Sequence, residues 1–321
     1  MDVLVDEADA LAAMADDIRR GLLAAPKQIR PKYFYDEVGS QLFEQITALR
    51  EYYPTRAERE LLEQIGDDLM AELRPAEIVE LGAGSSAKTR LLLGSRTAPE
   101  HLRRYIPMDM SREIMYSSAE SLVREYPYLS VQGVIGDFER HLGGIPEAQG
   151  RRLVLFLGGT IGNLDPEERT AFLTQVRGLL GEADRVLIGM DLVKEVALLE
   201  AAYNDSAGVT AAFNRNVLRV INDQLGADFR PEEFAHRAFF NAEESRIEMH
   251  LAPSTTQEVS APGISLHVTI EPTETIWTES SYKFKPESIG QMLDDAGLRL
   301  DRLYTNDHPS RSFALALAAP A

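Results

Sequence analysis

The sequence predicts an α/β protein built on a doubly wound parallel sheet, into which a strand-rich α+β domain is inserted. Three observations lead to this fold class. Short apolar segments alternate with helical segments over 77–193, strand-like segments follow one another over 236–284, and the alternation returns from residue 286. Such alternation is typical of a parallel sheet covered by helices on both faces. We therefore expect one domain over 57–193 plus 284–321 and a second domain over 1–56 plus 194–283.

The predicted sheet has seven strands, and the last two come after the insertion. Apolar runs place these strands at 77–81, 104–108, 131–135, 152–157, 185–190, 298–304 and 312–317. Helical spacing of apolar residues predicts helices at 8–23, 55–73, 85–93, 194–203, 207–225 and 286–296, and one that begins at Pro166. Two helix starts carry capping-box signals, Thr55 with Glu58 and Asp165 with Glu168.

Composition excludes several classes of protein. The 321 residues include 51 acidic and 33 basic side chains, and the net charge of −18 opposes binding to nucleic acid or to an anionic membrane. Cysteine is absent, and the six histidines show no metal-ligand spacing, so we predict no metal site. The acidic N-terminus is unlike a signal peptide, and no apolar run approaches the ~20 residues of a membrane span. We expect a cytoplasmic monomer.

A glycine turn follows the first predicted strand of the sheet. The strand ends at Glu80-Leu81, and Gly82 and Gly84 form a Gly-x-Gly turn before the predicted helix at 85–93. Glycines in such a turn let a cofactor lie against the backbone, and N–H groups at a helix start face a ligand. The turn alone indicates a nucleotide-type cofactor.

Acidic residues at the next two strand ends narrow the choice of cofactor. Asp109 ends the second strand, 27 positions after Gly82, where an acid can hold ribose hydroxyls. Asp137 and Phe138 follow the third strand and suit an adenine. The carboxylate can accept a hydrogen bond from the exocyclic amine, and the phenylalanine ring can pack on the adenine ring. Together with Glu80, these acids favour a cationic cofactor over a pyrophosphate. S-adenosylmethionine (SAM) has this charge pattern, since it carries a sulfonium and an ammonium group.

The fourth strand also ends in a polar, glycine-rich turn, which contains Gly158, Thr160 and Asn163. Ligands of doubly wound sheets bind at the carboxyl ends of strands, so this turn should lie near the methyl group of SAM. The amide of Asn163 can donate to or accept from a substrate amine or carboxylate.

Eight segments of the sequence carry a further resemblance. They are FYDEVGSQLFEQIT (34–47), EYYPTRAE (51–58), the glycine-turn segment (78–89), FLGGTIGN (156–163), DLVK (191–194), AAFNRNVL (211–218), RIEM (246–249) and TESSYKF (278–284). Together they resemble one family, the SAM-dependent histidine Nα-methyltransferases of ergothioneine biosynthesis. The resemblance runs from about residue 18 to the C-terminus. It implies a Rossmann-like class I methyltransferase domain with a separate substrate-binding domain, and conversion of L-histidine to the trimethylated product hercynine.

The resemblance also implies roles for individual residues. Those that would contact histidine are Tyr52 and Tyr203 at its carboxylate, Asn163 and Tyr35 at its amine, Glu279 and Ser281 at its imidazole, Met249 along its ring, and Phe43 closing the pocket. Those that would contact SAM are Gly82, Gly84, Lys88, Asp109, Asp137, Phe138, Gly158 and Thr160. Asn163 and Tyr35 are the residues expected at the reacting nitrogen.

Two small residues depart from the family pattern, because Ala83 and Gly159 stand where we expect serines. Other readings remain open at this stage. The protein could methylate another aromatic amino acid, although an indole or phenol pocket would not need the carboxylate of Glu279. It could also bind SAM and an amino acid without turnover. An NAD-dependent dehydrogenase fits least well, since the turn lacks a third glycine.

Overall fold

The structure is a computed structural model that describes residues 1–306, 308 and 312–321, and only the backbone of Glu7. The α-helices are α1 (Glu7–Leu23), α2 (Glu37–Ala48), α3 (Pro54–Leu73), α4 (Arg90–Leu93), α5 (Ala98–His101), α6 (Arg112–Glu125), α7 (Pro166–Gly178), α8 (Val196–Tyr203), α9 (Val209–Leu225) and α10 (Pro286–Asp294). The strands are β1 (Asp2–Val3), β2 (Lys27–Gln28), β3 (Glu77–Leu81), β4 (Arg104–Asp109), β5 (Ser130–Val131), β6 (Val134–Ile135), β7 (Arg152–Phe156), β8 (Arg185–Asp191), β9 (Phe234–Asn241), β10 (Arg246–Pro253), β11 (Gln257–Ala261), β12 (Leu266–Ile270), β13 (Ile276–Tyr282), β14 (Leu298–Thr305) and β15 (Phe313–Pro320).

The chain forms two compact units. The first unit contains Met1–Val5, Pro54–Val193 and Lys283–Ala321, and the second contains Asp6–Tyr53 and Lys194–Tyr282. The expected N-terminal boundary was wrong for the first five residues. They join the sheet of the first unit because Asp2 N donates to Gly133 O (2.8 Å) and Leu4 N donates to Ile135 O (2.9 Å).

The first unit is built on one mixed sheet with the order β1-β6-β4-β3-β7-β8-β15-β14, and β5 pairs with β4. Strands β3, β4, β6, β7 and β8 run parallel, whereas β15 is antiparallel to both β8 and β14. The α/β fold class predicted from the sequence is therefore confirmed. All five residues of β3 are buried, so this strand lies in the core of the first unit. The glycine turn follows at its carboxyl end.

The strand count differs from the seven expected. Within the described part of the chain the sheet has nine strands, because the predicted third strand divides into β5 and β6 and because β1 covers an edge. Between β5 and β6 the ladder is interrupted at Gln132 and Gly133, and Gln132 N donates to Tyr105 O (2.9 Å). Covering the edge removes a row of unpaired backbone groups that could pair with another chain.

The second unit combines helices with a four-stranded sheet of order β2-β13-β10-β9 and a separate hairpin of β11 and β12. Strands β9, β10 and β13 are antiparallel, and β2 joins β13 in parallel. The long helix α9 begins after Gly208 and ends before Gly226, and both glycines have left-handed φ angles (75° and 65°). Among the described residues, no helix is long and apolar enough to cross a bilayer.

Two predicted helix starts were wrong and one is confirmed. The helix expected from Ser85 forms only at α4, because Ser86 has a φ of 53° that a right-handed helix does not allow. Helix α3 already includes Thr55, so this residue does not cap it. The capping box of Asp165 and Glu168 is present at the start of α7.

Candidate active site

The glycine turn after β3 is held against the end of β4. The N–H groups of Gly82 and Ala83 both donate to Met108 O, at 2.9 and 3.1 Å. Gly82 and Gly84 have φ angles of 71° and 49°, which L side chains rarely adopt, and this conformation requires glycine there. A Cβ at Gly84 would meet no atom within 4 Å. The backbone at this point is therefore open to a ligand.

Residues 83–89 form turns and irregular backbone rather than the expected helix. The side chain of Ser86 is buried, and its Oγ lies 2.8 Å from Tyr105 Oη and 3.3 Å from Ser118 Oγ. These contacts hold the left-handed conformation that interrupts the helix. The helix begins only at Arg90 and has four residues. A ligand at the glycine turn would therefore not contact the helix N-terminus that was predicted at Ser85.

Asp109 joins the end of β4 to the glycine turn. Its Oδ2 accepts from Gly84 N (2.9 Å), and its Oδ1 accepts from Ser111 N (3.0 Å). The side chain is half-buried, and each carboxylate oxygen can accept more than one hydrogen bond. The structure thus brings the carboxylate of Asp109 to the open glycine of the turn.

Asp137 and Phe138 lie at the end of β6, next to the same turn. Asp137 is 7% exposed, and its Oδ1 accepts from Glu139 N at 2.8 Å. Phe138 packs edge-to-face on Phe156, with ring centroids 5.3 Å apart. A Cβ at Gly82 would lie 3.6 Å from the Phe138 ring. A half-buried aromatic ring therefore stands beside the glycine turn with a carboxylate adjacent in sequence.

Glu80, the third acid expected around the cofactor, is buried in β3 at 3% exposure. Its carboxylate accepts from Thr89 Oγ1 at 2.5 Å and from the hydroxyl of Tyr105. Burial raises the pKa of Glu80 to about 7, although the two hydroxyl donors act in the opposite direction. Glu80 therefore stabilises the segment after the glycine turn through a buried hydrogen bond.

The turn after β7 presents a polar edge of the sheet. Gly158 and Gly159 have left-handed φ angles of 84° and 70°, and residues 160–163 form one 3₁₀ turn. Thr160 Oγ1 donates to Leu157 O (3.1 Å), which ties the turn together. Asn163 is half-buried, and across the described residues its amide has no hydrogen-bond partner. That amide remains available for a ligand.

Glu58 on α3 is the residue that sequence reasoning missed at this edge. Its carboxylate is fully buried and ion-paired with Lys88 Nζ. The N–H of Gly158 donates to both carboxylate oxygens, at 2.8 and 2.9 Å. Two predicted cofactor residues from separate loops thus meet at one carboxylate. Glu58 lies in the segment EYYPTRAE, where its spacing from Thr55 matches the local pattern of a helix cap and gives no sign of a contact with the loop after β7.

In the second unit, two predicted imidazole ligands share one face of a strand. Glu279 and Ser281 are two positions apart on β13, and side chains alternate along a strand. Met249 of β10 lies directly opposite Glu279, so it shares that face and is 1% exposed. The structure therefore places an acid, a hydroxyl and a thioether on one face of two adjacent strands.

A β-bulge fixes this face of β13. The register of β10 and β13 shifts between Met249 and His250. Thr278 Oγ1 donates to Met249 O (3.0 Å), and the indole N–H of Trp277 donates to Glu279 O (2.9 Å). Bulges redirect side chains at functional sites. Here hydrogen bonds from the side chains of Trp277 and Thr278 fix the backbone around Glu279.

The two tyrosines expected at the substrate carboxylate lie together in the second unit. Tyr203, the last residue of α8, places its hydroxyl 2.7 Å from Ser281 Oγ. Its ring packs edge-to-face on Tyr52, with centroids 6.2 Å apart. His236 Nε2 donates to Tyr203 O (2.9 Å), which fixes the end of α8. Burial lowers the pKa of His236, consistent with a neutral ring.

An aromatic cluster continues from Tyr52 to the remaining predicted residues. Phe43 of α2 packs on Tyr52 (6.2 Å between centroids) and on Tyr35 (5.5 Å). Tyr35 is 43% exposed and therefore lies at the margin of this cluster. Asp36 caps α2 by accepting from Gly39 N at 2.7 Å, which fixes the helix that carries Phe43.

No group of three or more histidine, cysteine, aspartate or glutamate side chains suited to a metal ion occurs among the described residues. The polar edge of the first unit instead combines an open glycine turn, two carboxylates and an aromatic ring. This donor set suits the cations and the adenine of SAM. The sheet and its strand-end side chains define a SAM-dependent methyltransferase.

The chain belongs to the family of histidine-specific, SAM-dependent methyltransferases, whose family model matches residues 14–320. It is 47% identical over 309 residues to a histidine N-alpha-methyltransferase of Mycolicibacterium smegmatis, covering 96% of this chain and 95% of that protein. It is 46% identical to the protein of the same name from Mycobacterium tuberculosis, again covering 96% and 95%. It is also 26% identical to ergothioneine biosynthesis protein 1 of Schizosaccharomyces pombe, covering 86% of this chain and 37% of that protein. The family predicted from the sequence is confirmed.

Proposed function

We propose that this enzyme transfers three methyl groups from SAM to the α-amino nitrogen of L-histidine, giving hercynine in ergothioneine biosynthesis. Family membership supports the reaction class and the amino acid. The observation that carries the residue assignment is the shared face of Glu279, Ser281 and Met249 on adjacent strands. Residues two apart on a strand lie about 7 Å from each other. That distance fits a small ring held by a hydrogen bond at each of two edges.

On the cofactor side, residues at the strand ends of the first unit would bind SAM, which supplies the methyl group on its sulfonium. The carboxylate of Asp109 already accepts one hydrogen bond from Gly84 N. Its remaining lone pairs would accept hydrogen bonds from the ribose hydroxyls. Phe138 would pack on the adenine, and Asp137 would accept from its amine. Lys88 would donate to the carboxylate of the methionine moiety.

The contact between Tyr203 and Ser281 in the second unit would suit a protonated imidazole, which has two N–H groups. Tyr203 would donate its proton to the substrate carboxylate, next to Tyr52. Ser281 would then donate to the oxygen of Tyr203, 2.7 Å away, and its own oxygen would accept from one ring N–H. Glu279 would accept from the other. A carboxylate in this position favours a ring that carries a proton on that nitrogen.

The α-amine would be held more loosely than the two ends of the substrate. The amide of Asn163 would contact the amine, and the family resemblance assigns Tyr35 to the same nitrogen. A methyl transfer requires a neutral amine in line with the sulfonium carbon. Firm contacts at the carboxylate and ring would keep the substrate in place while the nitrogen rotates between transfers.

Mass spectrometry of the purified protein with SAM and an equimolar mixture of the twenty amino acids tests this function. We expect three methyl groups on histidine alone, and fragmentation should place all three on the α-nitrogen. Methylation of another amino acid or of a ring nitrogen would overturn the substrate assignment. SAM binding without any methylation would favour the binding-protein alternative.

We further propose that the enzyme works as a cytoplasmic monomer on a free amino acid. The net charge of −18 opposes association with polyanions. Light scattering coupled to gel filtration should give the mass of one chain, and a concentration-independent dimer would contradict this proposal.

A further inference from the structure

Glu58 is the most enclosed acidic side chain at the polar edge of the first unit, and it contacts two separate loops. Its side chain has no exposed surface, and Lys88 Nζ forms an ion pair with it. The backbone N–H of Gly158 points between its two oxygens, at 2.8 and 2.9 Å. A single carboxylate from α3 thus joins the loop after β3 to the loop after β7.

The surrounding backbone leaves space for this carboxylate. Gly189 lies within β8, and a Cβ there would stand 2.0 Å from Glu58 Oε1. A glycine inside a strand often marks the close approach of another group. At Gly158, a Cβ would stand 3.4 Å from Lys88 Nζ. Both glycines therefore keep the Glu58–Lys88 pair close to the strand ends.

We propose that Glu58 is a positioning residue that orients Lys88 and the Gly158 loop to receive the carboxylate end of SAM. This inference rests on the proposed role of Lys88 in binding SAM. An ammonium group has three donors, so the pair with Glu58 leaves Lys88 donors for the cofactor. Glu58 also neutralises the charge of Lys88, which would otherwise repel the sulfonium and ammonium groups of SAM.

A double-mutant cycle on SAM affinity tests the proposal. Glu58→Gln keeps the size of the side chain but removes its charge. We expect it to raise the Kd for SAM by about tenfold or more, as loss of a charge-assisted contact commonly does. In a Lys88→Met background, the same change should cost less than about threefold, because Glu58 acts through Lys88. Calorimetry measures all four combinations.

Kinetic parameters separate positioning from a purely structural role. Glu58→Gln should raise KM for SAM and leave KM for histidine unchanged, whereas general loss of structure would change both. Glu63→Gln, on an exposed face of the same helix, is the matched control and should leave both unchanged. If Glu58→Gln fails to fold, Gly189→Ala displaces the carboxylate without removing it and should raise KM for SAM in the same way.

The outcomes distinguish this inference from the proposed function. Equal costs of Glu58→Gln in both backgrounds, or unchanged SAM affinity in a folded variant, would overturn the positioning role. If Lys88→Met alone leaves SAM affinity unchanged, the assignment of Lys88 fails first, and the inference fails with it. Failure of the wild-type protein to bind SAM would instead overturn the proposed function.

Discussion

Removal of the Glu279 carboxylate should weaken histidine binding far more than SAM binding. Glu279 stands on β13 in the second unit, two positions from Ser281 and opposite Met249. The residues assigned to SAM are in the first unit. The two ligands should therefore respond differently to Glu279→Ala.

The structure allows the size of the effect to be stated. Glu279 is half-buried, so its contact with an imidazole N–H is partly shielded from water. A hydrogen bond to a charged group contributes about 1.5–3 kcal/mol. At about 1.4 kcal/mol per tenfold change, this predicts a rise of about 10- to 150-fold in the Kd for histidine. SAM affinity should change less than about twofold.

Isothermal titration calorimetry of each ligand on Glu279→Ala measures both affinities. Glu279→Gln keeps the shape and one acceptor, so its effect should fall between wild type and alanine. Glu258→Gln on β11, an exposed strand residue of the same unit, is the control and should have no effect. Equal losses for both ligands, or a change in SAM affinity alone, would refute the assignment of Glu279 to the imidazole.

Two further predictions concern the bulge and the buried acid. Trp277→Phe removes the indole N–H that donates to Glu279 O. Histidine affinity, measured by calorimetry, should fall about three- to tenfold, and SAM affinity should not change. Unchanged histidine affinity would mean that the bulge holds Glu279 without this hydrogen bond. Glu80 has a pKa raised from 4.5 to about 7, so the folded state binds more protons than the unfolded state in that window. The stability of wild type relative to Glu80→Gln should therefore fall as pH rises from 4.5 to about 7, by roughly 3 kcal/mol in total. Urea unfolding across this range measures the difference, and a difference that does not vary with pH would contradict the raised pKa.

The sequence predicted the elements whose signals are local. The apolar runs marked the parallel strands of the first sheet, because buried parallel strands are nearly continuous hydrophobic segments, although the run 131–135 divides into β5 and β6. The carboxyl ends of those strands then follow from topology, and with them the placement of Asp109 and Asp137. The capping box before α7 was equally local, since all of its atoms lie within four residues.

Contacts between distant segments could not be predicted in this way. Ser86 leaves the helical conformation because its side chain meets Tyr105 and Ser118, 19 and 32 residues away. Glu58 satisfied the local pattern of a helix cap, yet its carboxylate meets Gly158, 100 residues away. A single sequence shows the residue types in such contacts but not their partners. The same limit concealed the pairing of β1 with the edge of the sheet.

The structure also changes the charge argument for the cofactor. Three acids were expected to face a cation, but the buried Glu80 has a pKa near 7 and is engaged by two hydroxyl groups. Glu58 and Lys88 form a pair that contributes little net charge. Asp109 and Asp137 therefore remain as the carboxylates at the strand ends beside the glycine turn. Two carboxylates and one paired lysine leave a net negative charge at this edge, which suits SAM because its two cationic groups and one carboxylate sum to a net positive charge.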